Sequence, residues 1–236
     1  MKLPKHVAII LDGNRRWALR KGMITRRGHE AGAKRFEDIL NFILQMDIPK
    51  ISVYALSIEN LKRTKLELNS IYSIGERILT NWLEDGKFLE KYDVQVNFYG
   101  DFSKLPRKIL SPMYKLMKKT SSHKKKRLNI MIAYGGKYEI AEAVKKIINR
   151  VKSKGKKKGQ KNRKITEKDI EKNLFVKDPV DLLIRTGGHS RLSNFMLWQA
   201  AYADIYSTRT LWPDFSKKEF LKALKFYEKS KRNFGR

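Results

Sequence analysis

Five short stretches of the chain are almost continuously apolar and β-prone, which is typical of strands buried on both faces of a sheet. Each stretch ends where polar residues or glycine begin, as at Asp12-Gly13-Asn14 after the first one. The pattern predicts strands at 7–11, 51–56, 94–100, 128–134 and 180–184.

Longer segments between these strands carry apolar residues at helical spacing. They predict helices over 36–44, 68–83, 109–117 and 139–151, with a last basic helix after Phe215. Strands that alternate with helices indicate a single α/β domain whose sheet is largely parallel. The apolar stripe over 68–83 is compatible with ordinary core packing and with the wall of an apolar tunnel, and the pattern does not separate the two.

Polar clusters that contain arginine follow the first, second and fifth predicted strands, at 12–17, 57–63 and 185–194. The carboxyl ends of parallel strands meet at one edge of a sheet, so we expect these clusters to converge. Arginine and backbone N–H groups suit an anion, but Asp12 would repel a phosphate unless a divalent cation lay between them. The clusters therefore predict a magnesium-bridged diphosphate site, although Asp-Gly-Asn alone is equally compatible with a plain turn.

Two further features add to this site. The pair Gly187-Gly188 lies between Arg185 and Arg191, an arrangement that suits a second phosphate cradle. His29 lies beside two arginines and could donate a hydrogen bond to a phosphate, although a solvated loop histidine is the plainer interpretation.

Composition narrows the classes of function. The chain has 236 residues, a net charge of +29 and no cysteine, which excludes disulfides, thiolate catalysis and cysteine zinc sites. The N-terminus does not resemble a signal peptide, and no apolar run approaches the roughly 20 residues of a membrane span, so we expect a cytoplasmic protein. The charge predicts a polyanionic partner: nucleic acid, an anionic membrane or phosphate-bearing substrates.

A basic nucleic-acid- or phosphate-binding module is the alternative to an enzyme that joins two diphosphates. Such modules often place base-stacking aromatics among their basic residues. Here the aromatic residues lie mostly in apolar patterns, which favours the enzyme, and we expect no nucleic-acid partner.

The segment 152–164 contains neither acidic nor apolar residues, so we expect a flexible, solvated basic loop. It is either a plain connection or a contact with an anionic membrane, because headgroups attract each nearby Lys or Arg by about 1 kcal/mol. In the second case the enzyme would be peripheral at the membrane surface.

The string HVAIILDGNRRWA, at residues 6–18, resembles the first signature of the cis-prenyltransferases, the undecaprenyl diphosphate synthase family, and later motifs follow in order. The resemblance extends almost to Gly235. It implies one catalytic domain over 1–236 with a mostly parallel six-stranded sheet flanked by helices, acting as a homodimer. It also implies Mg²⁺-dependent, sequential cis-condensation of isopentenyl diphosphate onto an allylic prenyl diphosphate primer, to give a long-chain polyprenyl diphosphate. The motifs leave primer and product length open.

The resemblance also implies site residues. Asp12 would be the critical acid that holds magnesium, and Asp204 stands where the family has a second metal-linked acid. Asn60 occupies the position of a proton acceptor, but an amide is barely basic, so we expect it to orient a substrate. The implied substrate-binding residues are Gly13, Asn14, Arg15, Arg16, Trp17, His29 and Arg63 for the allylic substrate, Ser57, Ile58 and Glu59 along the site, and Arg185, Arg191, Leu192 and Ser193 for isopentenyl diphosphate.

Overall fold

The computed structural model describes residues 2–154 and 164–230 and contains one six-stranded sheet. Its strands are β1 (His6–Ile10), β2 (Lys50–Ser57), β3 (Val94–Tyr99), β4 (Lys126–Tyr134), β5 (Leu182–Arg185) and β6 (Asp204–Ser207). Their order is β3-β4-β2-β1-β5-β6, and every neighbouring pair is parallel. The predicted single α/β domain with a six-stranded sheet is confirmed.

Helices cover the sheet. They are α1 (Asn14–Arg20), α2 (Thr25–Leu44), α3 (Lys65–Asp85), α4 (Lys87–Lys91), α5 (Arg107–Lys119), α6 (Gly136–Lys154), α7 (Glu167–Glu171) and α8 (Lys217–Lys229). Short 3-10 helices lie at Glu59–Lys62, Phe102–Lys104 and Trp212–Asp214. Thr64 and Ser216 begin α3 and α8, because each side chain accepts a hydrogen bond from a backbone N–H in the first turn.

The hydrophobic pattern located five of the strands and missed β6. That strand has only four residues, pairs with β5 alone and is partly exposed, so it lacks the apolar run that marks the central strands. The first strand also begins and ends one residue earlier than predicted. It ends at Ile10 because the backbone N–H of Asp12 turns back to donate to the Ile10 carbonyl at 3.0 Å.

The core occupies both faces of the sheet. In β1, Val7 and Ile9 pack on one face while Ala8 and Ile10 pack on the other. The first face also buries the apolar stripes of α2, α3, α5 and α8, as the helical spacing predicted. Fully burying one Ile or Leu side chain contributes about 1.5–3 kcal/mol, so these stripes are the main attachment of the helices to the sheet.

The order of the strands creates a crevice at one edge. From β1 the chain crosses to β2 on one side, whereas from β5 it crosses to β6 on the other side. In open parallel sheets ligands bind where the connections diverge in this way, outside the carboxyl ends of the strands. Two of the three polar clusters flank this crevice, and the third follows the neighbouring strand β2.

Two further predictions concern membrane-spanning segments and the basic loop. No helix within residues 2–154 and 164–230 is long and apolar enough to cross a bilayer. Of the predicted basic loop at 152–164, residues 155–163 lie outside the described residues, so its proposed membrane contact stays a prediction. Residues 152–154 end α6, so the helix extends three residues further than predicted.

Candidate active site

A pocket of about 490 Å³ lies at the carboxyl edge of the sheet. It brings together eleven of the predicted site residues: Asp12, Gly13, Asn14, Arg15, Arg16, His29, Ser57, Asn60, Arg63, Arg185 and Ser193. The three polar clusters therefore converge, as the parallel sheet predicted.

The turn after β1 holds Asp12 at the pocket. Gly13 has φ +122°, and a Cβ atom there would lie 2.9 Å from Cβ of Leu211, so this turn requires glycine. The Asp12 carbonyl accepts hydrogen bonds from Oγ1 of Thr186 at 2.6 Å and from the backbone N–H of Trp212 at 3.0 Å. The backbone of Asp12 is thereby fixed from two sides, and its carboxylate lines the pocket.

That carboxylate pairs with two arginines. We call Asp12, Arg16 and Arg185 together the Asp12 cluster. Nη2 of Arg16 donates to Oδ1 and Nη2 of Arg185 donates to Oδ2, each at 3.0 Å. Nη1 of Arg16 also donates to the Gly187 carbonyl at 2.6 Å. Gly187 has φ +84°, and a Cβ atom there would lie 2.4 Å from Nη2 of Arg16, so the glycine leaves room for the guanidinium.

Arg185 is the most buried cation of the pocket, with 6% of its side chain exposed. Its Nη1 donates to Oγ of Ser193 at 2.6 Å and to the Arg191 carbonyl. Its Nε is buried and makes no hydrogen bond to any described residue. An unpaired buried N–H is unfavourable, and in a cationic pocket an anionic ligand that reached it would supply the missing acceptor.

A second group, which we call the Glu67 cluster, comprises Arg15, His29, Arg63 and Glu67. Oε1 of Glu67 lies 3.0 Å from Nη1 of Arg63, 3.2 Å from Nε2 of His29 and 3.8 Å from Nε of Arg15. The Glu67 side chain is only 11% exposed. Burial lowers the pKa of His29, and the hydrogen bond with Glu67 only partly opposes this effect. His29 is therefore a structured pocket residue and not a solvated loop histidine.

The sequence interpretation did not single out Glu67, although a signal for it was present. Thr64 followed by Glu67 has the spacing of a capping box, and Thr64 does cap α3 by accepting from the backbone N–H of Glu67 at 3.3 Å. The Glu67 side chain, however, is directed to the cations of the pocket. The spacing predicts where the helix starts. The contact of Glu67 with the pocket cations becomes visible only when α2 packs beside α3.

Asn60 lies in the 3-10 helix after β2, and its geometry bears on its role. Oδ1 of Asn60 accepts from the backbone N–H of Ser57 at 3.3 Å, while Oγ of Ser57 accepts from the backbone N–H of Asn60 at 3.1 Å. Because a backbone N–H must face the amide oxygen, the NH₂ group of Asn60 is the part left to donate. This arrangement suits an orienting donor better than a proton acceptor.

Four predicted binding residues support the pocket from outside it. Nε1 of Trp17 donates to Oδ1 of Asp214 at 2.7 Å, which ties α1 to the Trp212–Asp214 helix. The backbone N–H of Ile58 donates to the Tyr134 carbonyl at 2.9 Å. Leu192 packs against the core, and Oε1 of Glu59 accepts from Nδ2 of Asn194 at 2.8 Å. These four residues therefore hold together the segments that surround the pocket.

Asn194, which the sequence interpretation did not assign, joins three segments around the pocket. Besides Glu59 it contacts the start of α6, since its Oδ1 accepts from the backbone N–H of Lys137 at 2.9 Å. Ser193 and Asn194 have φ +48° and +64°, a conformation that costs of order 1 kcal/mol or more per residue without support. The support comes from Phe195, whose buried ring stacks on Tyr54 with centroids 4.6 Å apart.

The structure does not bring Arg191 and Asp204 into the pocket. The Arg191 side chain is exposed, and only its carbonyl contacts Arg185. Asp204 begins β6 level with Leu182, at the amino end of the sheet, whereas Asp12 lies beyond the opposite end. At about 3.3 Å per residue this offset is roughly 15 Å, so the two predicted metal ligands of one chain do not meet.

An apolar cavity of about 120 Å³ adjoins the pocket, between the sheet and helices α2, α3 and α5. Ala55 and Ile71 line both spaces. Ile71 is one helical turn beyond Glu67, so the apolar cavity begins beside the Glu67 cluster. The remaining lining is apolar or aromatic and includes Tyr72, Gly75, Leu79, Trp82 and Ile109.

The donors of the pocket can be tested against a metal ion. Within the described residues no group of three or more His, Asp or Glu side chains is placed to hold one. Mg²⁺ needs no such cage, because it is commonly bound by one or two carboxylates together with substrate phosphates. The single carboxylate of Asp12, beside cations that attract phosphate, fits a magnesium ion shared with a diphosphate.

Comparison with known proteins gives consistent matches over the whole chain. The Prenyltransf family model, of undecaprenyl diphosphate synthases, matches residues 10–235. The tritrans,polycis-undecaprenyl-diphosphate synthase (geranylgeranyl-diphosphate specific) of Sulfurisphaera tokodaii is 40% identical, over 98% of this chain and 88% of that protein. Dehydrodolichyl diphosphate synthase 4 of Arabidopsis thaliana is 35% identical, over 99% and 80%. The crystal structure of lavandulyl diphosphate synthase from Lavandula x intermedia with dimethylallyl diphosphate superimposes with a TM-score of 0.90 at 33% identity, covering 99% and 98%.

Proposed function

This chain belongs to the undecaprenyl diphosphate synthase family, the cis-prenyltransferases, and on that premise we propose that its pocket binds two diphosphates side by side, one at the Glu67 cluster and Arg16 and the other at Arg185. The chain is an enzyme that elongates a prenyl chain by cis-condensation. The observation that carries the proposal is the presence of two separate groups of cations in one pocket, each organised by one carboxylate.

We assign the allylic primer to the Glu67 cluster. Its diphosphate would contact Arg15, His29 and Arg63 together with the turn at 13–16, and Asp12 would lie beside it. The apolar cavity supports this assignment, because it begins at Ile71, one turn from Glu67 on the same helix. A diphosphate at the cluster can therefore extend its prenyl tail directly into apolar space. That space would be the start of the predicted tunnel for the growing chain.

We assign isopentenyl diphosphate to Arg185 and the segment that follows it. The unpaired Nε of Arg185 offers a charge-assisted hydrogen bond, and Ser193 lies 2.6 Å from the same guanidinium. Arg191 would join this site by a rotation of its exposed side chain when the second diphosphate binds. Burial makes the Arg185 contact strong, since the guanidinium is little screened by water.

In the reaction these residues act mainly on charge and position. Arg15, Arg16 and Arg63 stabilise the negative charge that develops on the departing diphosphate, where electrostatic stabilisation favours the transition state over the bound substrate. Arg185 holds isopentenyl diphosphate so that its double bond faces the allylic carbon. The NH₂ group of Asn60 orients a substrate, and a diphosphate oxygen accepts the proton lost after the new C–C bond forms.

We propose that the divalent metal of the site is Mg²⁺ and that Asp12 holds it. When bound with a diphosphate, it would neutralise part of the phosphate charge next to the Asp12 carboxylate. Arg16 and Arg185 now occupy both oxygens of that carboxylate, so at least one guanidinium would exchange it for phosphate oxygens. Asp204 lies at the other end of the sheet and is not assigned to this ion.

We further propose that the enzyme is a homodimer, cytoplasmic and peripheral to the membrane. Support for the dimer comes from the β6 edge, where Tyr202, Ile205 and Phe226 are exposed large apolar residues. Such exposed groups favour an interface between copies. The arginines that line the pocket bind no nucleic acid in this proposal, because they are gathered around two internal carboxylates rather than along an aromatic surface.

Chain elongation is the test. The purified protein is incubated with isopentenyl diphosphate and allylic primers of increasing length, with and without Mg²⁺, and the products are read by mass spectrometry. We expect products that lengthen by successive isoprene units only when a primer and the metal are present. Absence of elongation with every primer, from a protein that is folded by circular dichroism, would refute the proposed substrates.

A further inference from the structure

The most exposed aliphatic side chains of the described residues lie on or next to the helices α1, α2 and α3, which border the pocket. Leu66, Ile24 and Leu19 are 81%, 68% and 63% exposed, more than any other large aliphatic residue described. Met23, next to Ile24, is exposed as well. We call these four residues the apolar rim. Exposing so many aliphatic groups in one place is unfavourable in water, so a contact with apolar material is indicated.

The contacts of the pocket bring the segments that carry these four residues together. Leu19 lines the pocket itself. Met23 and Ile24 immediately precede α2, whose second turn contains His29. Leu66 is adjacent to Glu67, and the 3.2 Å contact between Glu67 and His29 brings the start of α3 to the start of α2. The apolar rim thus follows the edge of the opening through which substrates enter.

Exposed cations are interleaved with the apolar rim. They are Arg20, Lys21, Arg26, Arg27, Lys62 and Lys65. The nearby Glu30 pairs with Arg26 at 3.0 Å and Arg27 at 3.1 Å and offsets one of these charges. Aliphatic groups surrounded by Lys and Arg are the composition of surfaces that lie in the interface of an anionic bilayer. Protein–protein interfaces, in contrast, are depleted of Lys at their centres.

We propose that the apolar rim docks on the surface of an anionic lipid bilayer, with the mouth of the pocket facing the headgroups. The aliphatic side chains enter the interface and the surrounding cations contact the lipid phosphates. This goes beyond the proposed reaction and, on that function, explains where its amphiphilic product goes. A polyprenyl diphosphate can leave an opening that faces the bilayer without exposing its long tail to water. The contact uses described residues and does not depend on the basic segment at 152–164.

The first test measures binding of the full-length protein to large unilamellar vesicles by flotation. Vesicles of phosphatidylcholine alone are compared with vesicles that also contain phosphatidylglycerol, at low and high salt. We expect binding to the anionic vesicles at low salt. The double variant Ile24→Ser/Leu66→Ser should bind them about 30-fold more weakly, since each removed side chain contributes somewhat more than a factor of five when inserted. The control Tyr114→Ser removes an exposed apolar residue elsewhere and should bind normally.

A second pair of variants tests the cations around the apolar rim. The two variants have the same net charge and differ only in where the charges are removed. Arg20→Gln/Lys62→Gln/Lys65→Gln and Lys115→Gln/Lys118→Gln/Lys124→Gln each remove three exposed cations. If the apolar rim faces the bilayer, the first variant should lose about 100-fold in binding at low salt and the second much less, because the attraction acts within a Debye length of the surface. Equal losses would show that only the net charge matters and would overturn the proposal.

The absence of cysteine allows a direct test of orientation. A single cysteine introduced as Ile24→Cys, labelled with a polarity-sensitive fluorophore, should shift its emission to shorter wavelength on anionic vesicles. The same label at Tyr114→Cys should not shift. No shift at position 24 on vesicles that bind the protein would place the contact elsewhere and overturn the proposal.

Two further readouts separate a membrane surface from other roles of the same residues. Initial rates of Ile24→Ser/Leu66→Ser in detergent should match the original protein, since neither residue lines the pocket. Sedimentation should show the same oligomeric mass for both proteins. A smaller mass for the variant would show that the apolar rim is a protein interface, and this result too would overturn the proposal.

Discussion

Oε1 of Glu67 lies 3.2 Å from Nε2 of His29, on a neighbouring helix. The same oxygen approaches Arg63 and Arg15 from a third and a fourth segment of the chain. One buried carboxylate therefore sets the spacing of three groups that would otherwise repel or diverge. We infer that Glu67 is a positioning residue for the allylic diphosphate and does not contact the reacting atoms.

Replacing Glu67 tests this role. Glu67→Gln keeps the shape of the side chain but removes the charge that holds Arg63 and Arg15. Loss of one charge-assisted interaction costs about 1.5 kcal/mol, so KM for the primer should rise roughly tenfold while KM for isopentenyl diphosphate changes little. Steady-state kinetics with each substrate varied measures both. Glu84→Gln, at the exposed far end of the same helix, is the control. A tighter primer complex would instead show that Glu67 competes with the diphosphate.

The buried histidines predict how stability depends on pH. Burial lowers the pKa of His6 and of His29 below the ordinary value of 6.5. Below about pH 6.5 the unfolded chain binds more protons than the folded chain, so the free energy of unfolding should fall as the pH is lowered through this range. Urea unfolding at pH 7.5 and 5.5 measures the difference.

His6 separates the two contributions. Its Nδ1 donates to the Pro179 carbonyl at 3.0 Å, and its Nε2 accepts from Oγ of Ser52 at 2.7 Å, so the neutral ring is fully paired. His6→Gln should lower stability at pH 7.5, because buried partners lose their hydrogen bonds. It should also weaken the dependence on pH. A variant with an unchanged slope between pH 7.5 and 5.5 would contradict the assignment.

Replacing Asp12 should remove most of the activity while the protein still folds. Its carboxylate is partly exposed and contacts two guanidinium groups, and no core packing depends on it. Asp12→Ala should lower kcat by roughly 10³-fold, because the metal-bound diphosphate loses its protein ligand. Thermal unfolding should move by only a few degrees. Near-normal turnover by this variant would remove the argument for a metal bridged by Asp12.

Arg191 gives a cleaner test of the second diphosphate site than Arg185 does. Arg185 also holds Asp12 and Ser193, so its removal would disturb the pocket itself. Arg191 has an exposed side chain, and only its carbonyl has a structural contact. Loss of a charge-assisted contact costs about 2 kcal/mol, which corresponds to about 30-fold in affinity. Arg191→Ala should therefore raise KM for isopentenyl diphosphate by about that factor. An equal rise for the primer would argue against two separate sites.

The sequence predicts the parts of this molecule that depend on local pattern. Buried strands and amphipathic helices have distinct periods, and parallel strands bring their carboxyl ends together, so ten of the eleven site residues in the pocket could be predicted to converge. His29 is the exception, because it lies on α2 and not in one of the three polar clusters. The edge strand β6 was missed because four partly exposed residues give no such period. The placement of Trp17 against Asp214 and the distance between Asp204 and Asp12 depend on how remote segments pack. Local sequence patterns do not contain that information, so these contacts could not be predicted.

Gly75 tests whether the growing chain enters the apolar cavity. It lines that cavity on α3, and a Cβ atom there would lie 3.1 Å from Cδ1 of Ile109. Gly75→Leu would fill much of the 120 Å³ space. Overpacking costs about 1–3 kcal/mol, which the higher helix propensity of Leu offsets by roughly 1 kcal/mol, so the protein should still fold.

The first condensation should proceed in Gly75→Leu at close to the original rate, because the cationic clusters are untouched. Later condensations should fail, since the tail has lost its space, and the product distribution should shift to shorter chains. Mass spectrometry of products formed from one primer measures this shift. Ser73→Leu places the same side chain on the exposed face of the same helix and should leave the distribution unchanged. If Gly75→Leu also leaves it unchanged, the chain grows along another path, and the cavity beside Ile71 is only a packing defect of the core.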